Sequence, residues 1–123
     1  DLHSFPTRRS SDLHIDDLAA DDWRKNNPRF IGENFQRNLH IVDEVQAVAA
    51  EAGATPAQIA LAWLLAQGND IAPIPGTKRV ARVEENTAAD AIDLSTEQLE
   101  RLDNLTPPAG ERHDKDNMAT VDR

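Results

Sequence analysis

A single predicted helix, in the stretch TPAQIALAWLLAQG at residues 55–68, limits the architectures open to this chain. Thr55 and Gln58 have the spacing of a capping box, in which each side chain bonds the backbone N–H of the other residue. Pro56 occupies a first-turn position that needs no N–H donor. The helix is apolar on nearly every side and ends at Gly68, so we expect it to be buried on more than one face. Such burial suits a helix packed between a sheet and a neighbouring element.

One segment has the apolar character of a buried strand. The sequence IAPIPG, residues 71–76, follows a turn, although its two prolines cannot donate hydrogen bonds to a ladder. We place a short strand at residues 71–75. A lone strand is not stable, so either this segment is not a strand or its partners are absent.

Helical periodicity predicts three further helices. Across residues 33–52 apolar side chains recur every three or four positions, and Gly53 follows as a residue able to end a helix at positive φ. The stretch TKRVARVEENTAAD, residues 77–90, is a second candidate. Ser95 and Gln98 form another capping box, and the helix STEQLERLDNL that they begin stops at a Thr-Pro-Pro sequence.

The composition excludes several kinds of function. The 123 residues carry a net charge of -9, a surface that repels nucleic acid and anionic membranes unless one basic patch is set apart. There is no Cys to supply a thiolate ligand or nucleophile, and the four His show no metal-ligand spacing. No apolar run approaches the roughly 20 residues of a membrane span. We therefore expect a soluble, cytoplasmic-type protein without a metal, nucleic acid or membrane partner.

The best candidate site is a small basic cluster in this acidic chain. Lys78, Arg79 and Arg82 lie at the start of the predicted helix at residues 77–90, where free amides and the helix dipole favour phosphate. Thr77 adds a hydroxyl donor, and Asn86 follows Arg82 by one turn on the same face. An Arg and an Asn stacked in this way could hold a phosphate and an adenine edge. The alternative interpretation is a solvated, charged helix without a ligand.

A different class of function is also compatible with the pattern. The capped helix, the turn and KRVARVEEN could form a helix-turn-helix-like DNA-binding or interaction module. The net negative charge and the single small basic cluster argue against it, because phosphate contacts need a wider basic surface.

Four motifs in order resemble one family. The segments DDWRKNNPRF followed by GENFQRN, TPAQIALAWLLAQG, IAPIPGTKR and VEEN look like the C-terminal third of an aldo-keto reductase, in the branch with Gly-Thr-Lys-Arg after the last barrel strand. The resemblance implies an α/β fold, a (β/α)8 TIM barrel that uses NADPH to reduce small aldehydes and ketones. Residues 71–75 would then be the last barrel strand. Sites in such barrels lie at the C-terminal ends of the strands.

The resemblance also implies a cofactor site. By that resemblance, the turn that grips the 2′-phosphate of NADPH would consist of Pro75, Gly76, Thr77 and Lys78. Arg82 would contact that phosphate or the adenine. Glu85 and Asn86 would reach the adenosine ribose and the adenine edge.

The family's catalytic Tyr, Lys, Asp and His belong to earlier parts of the barrel, and this sequence contains no Tyr. We therefore expect no catalytic residue here, and no activity from these residues alone. Residues 14–106 would be the C-terminal part of the barrel and residues 107–123 an irregular tail. Residues 1–13, DLHSFPTRRSSDL, match the translation of a widely used sequencing adapter, which predicts a non-native, disordered leader.

Overall fold

The computed structural model describes Asp16 and residues 18–119, so the predicted leader at residues 1–13 lies outside the described part. The described chain divides into two compact units. The first holds residues up to Val42 together with those from Thr106 onward, and the helical unit holds Asp43–Leu105. The α-helices in chain order are α1 Glu33–Ala52, α2 Pro56–Ala66, α3 Val80–Thr87, α4 Thr96–Asp103 and α5 Lys115–Met118. Short 3-10 helices cover Trp23–Asn26, Pro28–Phe30 and Ala88–Ala91.

Helix α1 confirms the prediction from periodicity at both ends. Its first part belongs to one unit and its second part to the other. Val48 and Ala49 are buried in the helical unit, at 0% and 2% exposure. Gly53 follows the helix with φ of 63°, a conformation that glycine adopts without steric cost.

Helix α2 begins at the predicted capping box. The Thr55 hydroxyl accepts a hydrogen bond from the Gln58 backbone N at 3.3 Å, and Gln58 Oε1 accepts one from the Thr55 backbone N at 3.0 Å. Ile59 and Ala62 are buried, whereas Leu64 is exposed. The expectation of burial on more than one face is met in the helical unit, because α1 and α4 pack around Ile59 while α3 and the 3-10 helix Ala88–Ala91 also pack against α2.

The core of the helical unit joins α1, α2 and α4. Val48, Ala49, Ile59 and Leu102 form its buried centre. The Trp63 ring packs on this cluster while its Nε1 donates to Asp103 Oδ1 at 2.7 Å. Around the same core, α4 begins at the second predicted capping box, Ser95 and Gln98. Outside it, Arg101 pairs with Glu51 at 2.6 Å and with Glu44 at 3.6 Å, and ties α4 to α1.

The predicted strand at residues 71–75 is not found. Residues 71–77 have no regular secondary structure, and the described residues contain no strand at all. Pro73 and Pro75 lack the N–H groups that a ladder needs, and a strand requires a partner to bond. The apolar side chains here are consequently open to solvent, with Ile74 exposed at 96%.

The other unit is built around a small aromatic cluster. Leu18 and Phe35 are buried, and Phe30 and Leu39 pack against them. Trp23 meets Phe30 edge-on at a centroid distance of 6.3 Å but remains 64% exposed. Most of the Trp23 side chain is therefore open to solvent.

The segment after Pro108 is more ordered than predicted. Asn38 fixes its start, since its amide Nδ2 donates to the carbonyl of Ala109 and its Oδ1 accepts from the Ala109 N–H, at 2.9 and 2.7 Å. Helix α5 then forms because Asp114 caps it, with Oδ1 accepting from the Asn117 N–H at 2.9 Å. The prediction of a wholly irregular tail was therefore wrong for residues 115–118.

The Asp22 carboxylate gives this unit a pH-dependent contact. Hydrogen bonds from the Arg24 side chain, and then from the Arg24 backbone N–H, lower the pKa of Asp22 from 3.8 to about 2. A lowered pKa means that the contact stabilises the fold above about pH 4 and that this contribution disappears as the pH falls through 2.

We expect carbon-detected NMR to follow Asp22 titrating near pH 2, and Arg24→Ala to return its pKa towards 3.8. Lys25→Ala, which removes only a weaker charge effect, should leave the Asp22 pKa low. A normal Asp22 pKa in the unaltered chain would contradict the assigned hydrogen bonds.

No single described helix has the length and apolar character needed to cross a membrane. Glu33–Ala52 and Pro56–Ala66 meet that requirement only when taken together, and an 89° bend separates them.

Candidate functional site

The candidate site lies wholly within the helical unit, where the loop at residues 71–79 leads into α3. Helix α3 is short, and its N-cap, Arg79, makes no capping hydrogen bond with its side chain. Instead Thr77 Oγ1 accepts a hydrogen bond from the Arg79 backbone N at 3.2 Å. The Thr77 hydroxyl thus stabilises the turn, and one backbone N–H at the start of α3 is already bonded.

A cavity of about 370 Å³ opens beside this turn. Its apolar wall comes from α2, the loop and α3, and its polar end comes from the loop, α3 and the following 3-10 helix. The lining residues are Leu61, Leu65, Pro73, Pro75, Thr77, Val83, Asn86, Thr87 and Asp90. Apolar walls with a few polar groups at one end are typical of small-molecule pockets.

The structure brings together only some of the predicted site residues. Pro75, Thr77 and Asn86 line the cavity. The others flank it along the chain, with Gly76, Lys78 and Arg82 exposed and Glu85 half-buried. A Cβ added at Gly76 would meet no atom within 4 Å, so the backbone of the turn is open to a ligand.

The charged side chains of the site differ in exposure and in their ion-pair partners. Arg82 forms an ion pair with Glu85 on the next turn, with side-chain exposures of 47% and 16%. Lys78 and Arg79 are exposed before the helix. Each of these three cations lies along the chain close to residues that line the cavity, and each has the chemistry for a charge-assisted contact to phosphate.

Six of the nine residues that line the cavity were not among the predicted site residues. Leu61 and Leu65 are one helical turn apart on α2, and Asn86 and Asp90 have the same spacing across the end of α3. The i, i+4 spacing could have placed each pair on one face. It could not have shown that the two faces meet, because that depends on how α2 and α3 pack.

Gln58 is a second residue that the sequence assigned only to capping. Its Nε2 donates to the backbone carbonyl of Glu85 at 2.9 Å, while its Oε1 stays bonded to Thr55. That carbonyl lies in the last turn of α3, where carbonyls lose their helical partners. Gln58 therefore links the start of α2 to the end of α3.

No group of three or more His, Cys, Asp or Glu side chains that could hold a metal ion occurs in the part of the chain that the structure describes. The arrangement at the site is one of hydrogen-bond donors, cations and apolar surface.

Comparison with known proteins identifies the family. The model of the aldo/keto reductase family matches residues 5–107, so the chain belongs to that family, as its motifs predicted. The match begins inside the segment expected to be a non-native leader. No solved structure matches the chain.

Two curated relatives illustrate the similarity. The chain is 46% identical over 87 residues to "Aldo-keto reductase yakc [NADP(+)]" of Schizosaccharomyces pombe, covering 71% of this chain and 26% of the relative. It is 37% identical over 93 residues to "Probable aldo-keto reductase 1" of Glycine max, covering 76% of this chain and 27% of the relative. The chain thus spans about a quarter of the length of these relatives. Neither comparison supports the DNA-binding alternative.

Proposed function

We propose that this chain is the C-terminal part of an NADP-dependent aldo/keto reductase and that residues 73–90 bind the adenosine 2′-phosphate end of NADPH. The observation that carries the proposal is the position of the cavity. It lies beside the cluster of Lys78, Arg79 and Arg82 in a chain whose net charge is -9. The name of the Schizosaccharomyces pombe relative, which includes NADP(+), adds support.

Each part of the site has a role in this proposal. Arg82 and Lys78 bind the 2′-phosphate, and the turn of Pro75, Gly76 and Thr77 lets the nucleotide approach the backbone. Asn86 at the cavity wall reaches the adenine edge, as the family resemblance implies, and Glu85 follows Arg82 by one turn. The hydride chemistry belongs to the cofactor, and these residues bind and orient its distant end.

The exposed apolar surface of the helical unit supports the barrel as the proposed context. Ile74, Val80 and Val83 are 96%, 75% and 51% exposed, and Leu64 of the apolar helix α2 is 36% exposed. Large apolar side chains open to solvent in this number are often covered by another part of a protein. In the proposed enzyme the rest of the barrel covers it, the parent acts on small carbonyl compounds, and the protein is cytoplasmic.

Nucleotide binding to the 123-residue chain tests the site. We expect adenosine 2′,5′-bisphosphate to bind about 10-fold more tightly than adenosine 5′-monophosphate, because a phosphate bonded to charged donors adds about 1.5–3 kcal/mol. Calorimetry or NMR titration at low salt would measure both affinities. The preference should shrink as salt is raised, since exposed charges are screened. Equal affinities at low salt would overturn the proposal.

An assay of enzymatic turnover provides an independent test. We expect no NADPH-dependent reduction of an aldehyde by this chain alone, because its sequence holds no Tyr to serve as the family's proton donor. Consumption of NADPH by the purified chain, in proportion to its concentration, would contradict that part of the proposal.

A further inference from the structure

Glu85 is the member of the candidate site that is held most firmly. Its backbone carbonyl accepts a hydrogen bond from Gln58 Nε2 at 2.9 Å, and its carboxylate pairs with Arg82. The Glu85 side chain is only 16% exposed, whereas that of Arg82 is 47% exposed. The carboxylate is therefore the more enclosed partner of the pair, and the guanidinium is the partner more open to solvent and to a ligand.

The Gln58 side chain that bonds the Glu85 carbonyl also belongs to the capping box of α2. The same Gln58 side chain accepts from the Thr55 N–H at 3.0 Å, and its backbone N–H donates to the Thr55 hydroxyl at 3.3 Å. Both ends of the amide are thus occupied, one by the capping box of α2 and the other by α3. The backbone of Glu85 is thus tied to the start of α2, and the Glu85 carboxylate pairs with Arg82.

This arrangement changes what an arriving phosphate meets. A guanidinium paired with a carboxylate presents little net charge, and a phosphate must either share it or displace the carboxylate. The Debye length at physiological salt is about 8 Å, so a carboxylate in contact with Arg82 is hardly screened from a phosphate bound to the same group. Glu85 therefore opposes phosphate binding at Arg82.

Resting on the proposed function, we propose that Glu85 is a specificity-determining residue that holds Arg82 and thereby limits the preference for a 2′-phosphorylated nucleotide. This role differs from the one that the family resemblance implies for Glu85, a contact to the ribose or adenine edge. The two roles predict opposite results. Removing the charge tightens binding of the 2′-phosphate if Glu85 holds Arg82, and it weakens binding of all adenosine nucleotides if Glu85 contacts the nucleoside.

The test replaces Glu85 with Gln in the full 123-residue chain. We expect Glu85→Gln to bind adenosine 2′,5′-bisphosphate about 3- to 5-fold more tightly, the size of effect that an exposed ion pair supplies. Its affinity for adenosine 5′-monophosphate should not change. Glu84→Gln is the matched control, because this neighbouring exposed residue undergoes the same change of charge, and we expect it to leave both affinities unchanged.

A double variant determines whether Glu85 acts through Arg82. In the Arg82→Ala background, Glu85→Gln should have no effect on either nucleotide. Equal tightening in that background would show direct repulsion of the phosphate and overturn the inference. Weaker binding of both nucleotides by Glu85→Gln, or no change for either, would also overturn it.

The failure of this inference can be distinguished from the failure of the proposed function. If the unaltered chain prefers the bisphosphate and Arg82→Ala removes that preference, the site stands whatever Glu85→Gln does. If the unaltered chain shows no preference for the bisphosphate, the proposed site and the role of Glu85 are both overturned.

Discussion

Replacing Arg82 with Ala is expected to remove most of the preference of this chain for adenosine 2′,5′-bisphosphate over adenosine 5′-monophosphate. A hydrogen bond between charged groups is worth about 1.5–3 kcal/mol, which corresponds to a loss of about 10-fold or more in affinity. The affinity for the monophosphate should change little, since it lacks the group that Arg82 binds. Calorimetric titration of both nucleotides, at one low salt concentration, measures the ratio.

Two control variants separate charge from geometry at Arg82. Arg82→Lys keeps the positive charge but loses the planar, two-pronged donor, so it should retain part of the preference. Arg37→Ala makes the same change in net charge outside residues 73–90, where Arg37 pairs with the exposed Glu33 at 3.7 Å. An Arg37→Ala effect as large as that of Arg82→Ala would mean that net charge, and not a site, sets the affinity.

The largest effect on stability is expected from Ile59→Ala. Ile59 is fully buried and contacts the core formed with Val48, Ala49 and Leu102, where α1, α2 and α4 meet. Truncating a buried Ile to Ala costs about 2–5 kcal/mol, from lost apolar burial and from the cavity left behind. Since small domains have about 5–15 kcal/mol in total, the thermal transition should fall sharply or lose its cooperativity.

Ile74→Ala provides a chemically identical control. Ile74 is 96% exposed, so its truncation should change the unfolding free energy by no more than about 0.5 kcal/mol. Thermal unfolding followed by circular dichroism would compare the two variants with the unaltered chain. An Ile74→Ala cost equal to that of Ile59→Ala would contradict the burial pattern of the helical unit.

The predictions that succeeded depend on contacts within a few residues along the chain. The capping boxes at Thr55 and Ser95 join residues three positions apart, so their side chains meet whenever a helix begins there. The same locality explains why the bounds of α1 and the positive φ of Gly53 could be read from spacing and residue type.

The predictions that failed depend on partners distant in sequence. Residues 71–75 have strand-like composition, but a strand exists only when another strand bonds to it, and none is described here. For α2, apolar character correctly predicted burial on more than one face, but it could not specify which side chains another element covers. In the described helical unit, packing covers Ile59 and Ala62 and leaves Leu64 open.

For the candidate site, the sequence by itself determined which charged residues are present and where they lie along the chain. It placed Lys78, Arg79 and Arg82 at the start of a helix in an acidic chain, and its motifs identified the aldo/keto reductase family that the comparisons confirm. Residue type and spacing are sufficient for this, because charge and helix start signals are local properties.

The tertiary structure decided which residues from different helices lie next to one another. It set α2 against α3, which closed a cavity between Leu61 and Asn86 and added Asp90 to its wall. It also placed Gln58 against the backbone carbonyl of Glu85, 27 residues away, the residue whose carboxylate pairs with Arg82. The physical reason is that packing between helices depends on the summed shape and burial of many side chains, which no short segment of sequence specifies.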